Sequence, residues 1–142
     1  MIEVVTDDKW RKPIGDYLKK NCHISADIKD EFSYIGFIED NKILGGFLFT
    51  DFDGNNIYVH LAIESPRLFN RKHIRYVFDY GFKQIGCNRM TAVCRNGYKR
   101  NERILSGTGW IKEGVVRQAM KIDNNFVDAA IYGMLKEECK WI

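Results

Sequence analysis

Three strand-like runs in succession, divided by two turn signals, limit the possible folds more than any other feature. Residues 34–39 are read as alternating, residues 43–52 are apolar apart from Thr50-Asp51, and residues 56–64 alternate again. Between them stand Asp40-Asn41 and Asp53-Gly54-Asn55, residue types that enter the left-handed backbone of tight hairpins at little cost. Connections this short join only antiparallel neighbours. The segment is therefore predicted to be an antiparallel meander. Gly45-Gly46 lies inside the middle strand, where glycine marks a bulge or a close backbone approach.

The flanking segments fit around this meander. Residues 71–85 carry Ile74, Val77, Phe78, Phe82 and Ile85 at helical spacing, and Gly86 supplies the stop. Upstream, residues 2–5 read as a short strand. A helix follows from about Lys9 to Lys20, capped by Asp7 or Asp8, with Trp10, Ile14, Tyr17 and Leu18 on one side. Pro13 falls near its first turn, where proline is tolerated. Residues 22–32 are polar and show no clear period; a second short helix near Ala26 is the one element expected there. After Gly86, residues 89–94 read as a strand, and a helix runs from Tyr98 or Asn101 to Ser106. Residues 110–120 and 127–135 form a last hairpin that turns near Asn124. This order gives one α/β domain over residues 1–142, with a mixed, mostly antiparallel twisted sheet flanked by helices.

Composition narrows the function classes. A chain of 142 residues buries about two-thirds of its unfolded surface, enough for one full core. No apolar run approaches the roughly 20 residues of a membrane span, and the start Met1-Ile2-Glu3-Val4-Val5-Thr6 has no basic leader region. A soluble, cytoplasmic protein is expected, with no membrane partner. Cys22, Cys87, Cys94 and Cys139 form no Cys-x-x-Cys pair, so no metal site is expected. The net charge of +3 lacks the dense basic stripe of a nucleic-acid binder. The bases do gather at Arg67, Arg71, Lys72 and Arg75, and again at Arg95, Lys99, Arg100 and Arg103. Solvated helix faces explain such clusters, and so does a polyphosphate drawn to the helix starts beside them.

A C-terminal stretch carries a family likeness. Gly107-Thr108-Gly109-Trp110 is followed by Glu113-Gly114-Val115-Val116-Arg117, Asp123-Asn124-Asn125, Asp128 and Tyr132-Gly133-Met134-Leu135. This order resembles the C-terminal half of GNAT superfamily N-acetyltransferases, above all the ribosomal-protein alanine acetyltransferase branch and short GNATs encoded by bacteriophages. The order of elements is similar to the GNAT fold over nearly the whole chain. The resemblance implies acetyl-CoA as co-substrate, without a metal, and direct acetyl transfer to a primary amine on a protein or peptide. A homodimer is compatible with it. A GNAT-fold binding or inhibitory module without catalysis is the alternative.

The resemblance also implies site residues. The CoA pyrophosphate would meet the junction at Arg67, Leu68, Phe69, Asn70, Arg71 and Lys72. The two family glycines there fall near Phe69 and Arg71, a departure that outward-pointing side chains would allow. Asn96 or Asn101 would offer an amide to the pantetheine arm. The strand at Leu61, Ala62 and Ile63 would lie beside the acetyl group, with a bulge exposing a backbone N–H and a V-shaped opening near Ala62 and Thr91. An attacking amine must first lose a proton, and His60 or Glu64 would accept it. The family's tyrosine acid aligns with Leu105, leaving Tyr98 and Tyr132 as substitutes. Cys94 reads as a buried strand thiol rather than an acyl carrier. Glu64, Asp128 and Glu113 are the carboxylates offered to an incoming ammonium group.

Overall fold

The structure, a computed structural model, describes residues 1–24 and 32–142; the helix expected near Ala26 lies outside the described residues. Asp40 and Asn41 both take left-handed backbone, with φ of 51° and 63°, and close a two-residue hairpin between β2 (Ser33–Glu39) and β3 (Lys42–Thr50). The next turn is held by Asp53, whose Oδ1 accepts from Asn55 N at 2.9 Å and Asn56 N at 2.7 Å. It leads into β4 (Asn56–Ile63), completing the meander. β3 ends at Thr50 rather than residue 52 because Asp51 turns into left-handed backbone, at φ 57°.

Around the meander lie β1 (Glu3–Val5), α1 (Asp8–Asn21), α2 (Arg71–Asp79), β5 (Arg89–Arg95), α3 (Lys99–Gly107), β6 (Ile111–Ile122) and β7 (Asn125–Leu135). The seven strands form one sheet in the order β1-β2-β3-β4-β5-β7-β6. Among the described strands only β4 and β5 run parallel; the remaining neighbours are antiparallel. The last hairpin turns at Asp123-Asn124, again with both residues left-handed (φ 49° and 65°).

Helices cover both faces of the sheet. Ile14 and Leu18 of α1 pack on Tyr34, Ile38, Leu48 and Ala62. Val77 and Phe78 of α2, Phe82 just beyond it and Leu105 of α3 pack on the opposite face, against Ile57, Val59, Leu61 and Ile63. The alternation expected over 34–39 does not hold: Tyr34-Ile35-Gly36-Phe37-Ile38 carries no charged side chain, and cover on both faces buries all five. Each large side chain buried this way contributes about 1.5–3 kcal/mol. The long helix expected over 71–85 forms in two parts. α2 is regular to Asp79, then widens into a π-type turn over Tyr80–Ile85 that ends on left-handed Gly86 (φ 88°).

The glycine pair in β3 marks a close approach on both sides. A Cβ on Gly45 (φ 151°) would lie 2.5 Å from the Ala62 carbonyl oxygen, and one on Gly46 would lie 2.6 Å from that of Ile35. A bulge accompanies it: β3 shifts register against β2 between Phe37 and Ile38, passing over Leu44.

Candidate active site

β4 and β5 pair at only four positions, Asn56↔Arg89, Ile57↔Met90, Tyr58↔Thr91 and Val59↔Ala92. Beyond Val59 they diverge, and a cleft of about 230 Å³ opens between them. Leu61 and Cys94 line it from the strands, Tyr98 and Asn101 from the start of α3, and Cys22 and His23 from the end of α1. The opening therefore begins two residues past the expected Thr91, at Val93; Thr91 and Ala92 are still paired, with Tyr58 and Val59. The expected bulge in β4 is also absent: β4 keeps unbroken register with β3 from Tyr58 to Ile63. The irregularity sits one strand over, at Leu44, and divergence from β5 is what leaves residues 60–63 without a partner on that side.

Alternation along β4 divides its candidate residues. Leu61 and Ile63 join the core under α2, whereas Ala62 packs under α1. His60 shares the Ala62 face and is half-buried; desolvation holds its imidazole below the ordinary histidine range, against the opposing charge of Asp51. Glu64, just past the strand, is exposed. Its Oε1 accepts from the Tyr17 hydroxyl at 2.7 Å, and its carbonyl accepts from Arg100 Nη2 at 3.3 Å. Burial, reinforced by this Glu64 contact, pushes the Tyr17 phenol well above its ordinary range. The end of β4 is thus tied to α1 and to α3.

At the junction after β4, most polar groups are already spoken for. Ser65 Oγ accepts from Arg67 N at 3.3 Å, and Leu68 N and Phe69 N donate to the Ser65 and Pro66 carbonyls. The Arg67 guanidinium lies 2.6 Å from Glu39. Leu68 is buried in the core. Asn70 caps α2, its Oδ1 accepting from His73 N at 2.9 Å. Among the described residues, the amides of Arg71 and Lys72 have no intramolecular acceptor, and both side chains are exposed. Phe69 is not in a glycine conformation (φ −92°, ψ 70°). Its ring turns inward, not outward, and packs on the core in the narrow groove it shares with Ile74 and Ile104.

A second cluster fixes the start of α3. Glu102 accepts from Gly97 N at 2.7 Å, from the Tyr132 hydroxyl at 2.5 Å and from Lys112 Nζ at 2.8 Å. Lys112 also donates to Asn96 Oδ1 at 2.9 Å, so Asn96 faces the β6–β7 side, while Asn101 lines the cleft. Lys112, Tyr132 and the Gly97 amide together hold the Glu102 carboxyl below its ordinary range. Burial and Glu102 push Tyr132 up to about 12. Tyr98 precedes α3 and is 44% exposed at the cleft, whereas Leu105 is buried. Burial pushes the Cys94 thiol up to about 11. Glu113 is paired with Arg89, and Asp128 accepts from Gln118 N at 2.9 Å; neither lines the cleft. In the sequence Tyr17 read only as part of a helix face, Arg100 only as part of a basic cluster, and Glu102 was not singled out, because their contacts here lie 30 to 47 residues away.

No family model matches the chain. It is 22% identical over 104 residues to the uncharacterized N-acetyltransferase YnaD of Bacillus subtilis strain 168, covering 70% of this chain and 61% of the relative. To the SPbeta prophage-derived uncharacterized N-acetyltransferase YokL of the same organism it is 26% identical over 115 residues, or 78% of this chain and 65% of the relative. The chain therefore spans less than two-thirds of the length of these relatives. A point mutant of the spermidine N-acetyltransferase SpeG from Vibrio cholerae superposes with a TM-score of 0.78 at 11% identity, covering 99% of this chain and 96% of that one. The ribosomal-protein-S5-alanine acetyltransferase of Vibrio fischeri gives 0.72 at 13% identity, covering 99% and 95%.

Proposed function

We propose that this chain is an N-acetyltransferase of the GNAT superfamily that moves the acetyl group of acetyl-CoA to a primary amine by direct attack; relatives named as N-acetyltransferases and a fold shared with acetyltransferases support the reading. The observation that carries this reading is the divergence of β4 from β5 past Val59 and Ala92, beside a helix start with open amides. A pyrophosphate suits that helix start, where unsatisfied N–H groups and the helix dipole favour anions. The thioester would then lie along Leu61, Ala62 and Ile63, within reach of an amine entering from the α1 side.

The chemistry needs a proton acceptor first. An ammonium group releases one proton to a base, the free amine bonds to the thioester carbon to give a tetrahedral adduct, and the carbon–sulfur bond breaks as the adduct nitrogen gives up its second proton, which ends on the departing sulfur. His60 is suited to take the proton because burial keeps it neutral and able to accept. Glu64 is the charged alternative, with one oxygen already occupied by Tyr17. Tyr98, exposed at the cleft, is the candidate donor to the leaving sulfur.

The acceptor we favour is an amine on a protein or peptide. The described residues lining the cleft include Arg95 and no carboxylate, poor surroundings for a polycation of the kind named for SpeG. The test is incubation with labelled acetyl-CoA and a cell lysate, followed by separation of protein from small molecules. Label in protein supports the reading, and label only among small molecules overturns the acceptor class. CoA binding without any transfer points instead to a GNAT-fold binding module.

A further inference from the structure

We propose that the cationic recess formed by Arg71, Lys72, Arg75, Lys140 and Trp141 binds the 3′-phosphate on the adenosine end of CoA, so that the protein distinguishes CoA from dephospho-CoA. This rests on the acetyl-CoA reading above and extends it to a part of the cofactor remote from the chemistry.

The recess measures about 540 Å³, and four of its five lining residues are cations, with no acid among them. All four are exposed. Among the described residues, Arg71, Lys72 and Lys140 have no ion-pair or hydrogen-bond partner on their side chains, unlike Arg67, which meets Glu39, and Arg89, which meets Glu113. Like charges gathered without a counter-charge repel one another, and an arriving anion relieves that repulsion.

The recess is built, not incidental. Arg75 Nε donates to the Trp141 carbonyl at 3.1 Å, and the Trp141 indole N–H donates to the Thr108 carbonyl at 2.9 Å. Residues 140–141 are thereby anchored to α2 on one side and to the end of α3 on the other. Anchoring holds Lys140 over the helix, and the single Nε contact leaves both terminal nitrogens of Arg75 available for a bidentate grip on phosphate. Arg71 and Arg75 are four residues apart on α2, and Lys72 and Arg75 three, so all three project on one face. Arg75 lies one helical turn below the helix start, a rise of about 5.4 Å. In CoA, the 3′-phosphate is separated from the pyrophosphate by a single ribose. As a monoester it carries about −1.5 to −2 charge near neutral pH, the most concentrated negative charge on that end of the molecule.

The test is titration calorimetry of the intact protein with CoA and with dephospho-CoA, repeated for Lys140→Ala and for Arg75→Gln/Lys140→Ala. The native protein should bind CoA about tenfold more tightly than dephospho-CoA, the scale of one charge-assisted contact. Both variants should narrow that ratio and leave dephospho-CoA affinity unchanged. An unchanged melting temperature for Lys140→Ala, whose side chain touches no partner, separates lost binding from lost folding. A native ratio near one, or a ratio that survives in the double variant, overturns the inference while the acetyl-CoA reading stands. Binding of neither ligand overturns both.

Discussion

Replacing Glu102 by alanine should destabilise the protein and loosen the loop that borders the cleft. Its carboxylate accepts from the Tyr132 hydroxyl, the Gly97 amide and Lys112. Tyr132 is 2% exposed, so its hydroxyl would lose its carboxylate acceptor and keep only the Ser106 side chain beside it, at a cost of about 1–3 kcal/mol. The Lys112 ammonium is 41% exposed, which discounts that ion pair to about 0.5 kcal/mol. Gly97 is exposed, and water can replace its acceptor. The expected loss is therefore about 1.5–3.5 kcal/mol, read as a lower urea midpoint with unchanged slope. The pairwise part is isolated by adding Tyr132→Phe, which removes the stranded hydroxyl, so the double variant should be more stable than Glu102→Ala alone. The KM for acetyl-CoA should rise in Glu102→Ala because residues 96–98 lose their anchor. A loss under about 0.5 kcal/mol, or additive effects in the double variant, would refute the reasoning.

Three further outcomes follow from the same structure. Replacing Arg71 and Lys72 together by alanine should weaken acetyl-CoA binding, more at low salt than at high, because exposed charges are screened; equilibrium titration at two ionic strengths checks this. Gly45→Ala should cost several kcal/mol in a denaturant melt, since the new methyl would meet the Ala62 carbonyl at 2.5 Å in a left-handed backbone. Stability should fall on acidification. His60 is held low by burial and Glu102 and Glu113 by their cationic partners; the unfolded chain binds more protons than the folded one in each case, so ΔG drops as pH falls below about 6.5 for the histidine and about 4.5 for the carboxylates. A flat urea midpoint between pH 7 and pH 4 would contradict it.

Much of the fold was legible because its signals are local. Asp40-Asn41 and Asp53-Gly54-Asn55 mark turns by their own backbone preferences, and the spacing from Ile74 to Ile85 marks a helix whichever sheet it meets. The run Tyr34-Ile35-Gly36-Phe37-Ile38 carries no charged side chain, as burial on both faces requires; which helix closes each face was hidden, because it depends on α1 and α2 packing from opposite sides. The Gly45-Gly46 pair announced a close approach but not what approaches. The site was less legible still. Nothing near Phe69 in sequence says that its ring turns into a groove shared with Ile104. Tyr17 sits on an apolar helix face, and only the fold brings its hydroxyl to Glu64.

The four-pair parallel joint between β4 and β5 also has a mechanical meaning. On either side of it stands an antiparallel ribbon, β1–β4 and β5–β7. The ladder that binds the ribbons is the shortest between any two of the long strands, which makes it the seam along which the molecule would first part under load or heat. A ligand seated in the slot beside it would act as a stitch across two panels. Its effect on unfolding would then appear as a sharper, more concerted transition, with amide protection rising in both ribbons at once.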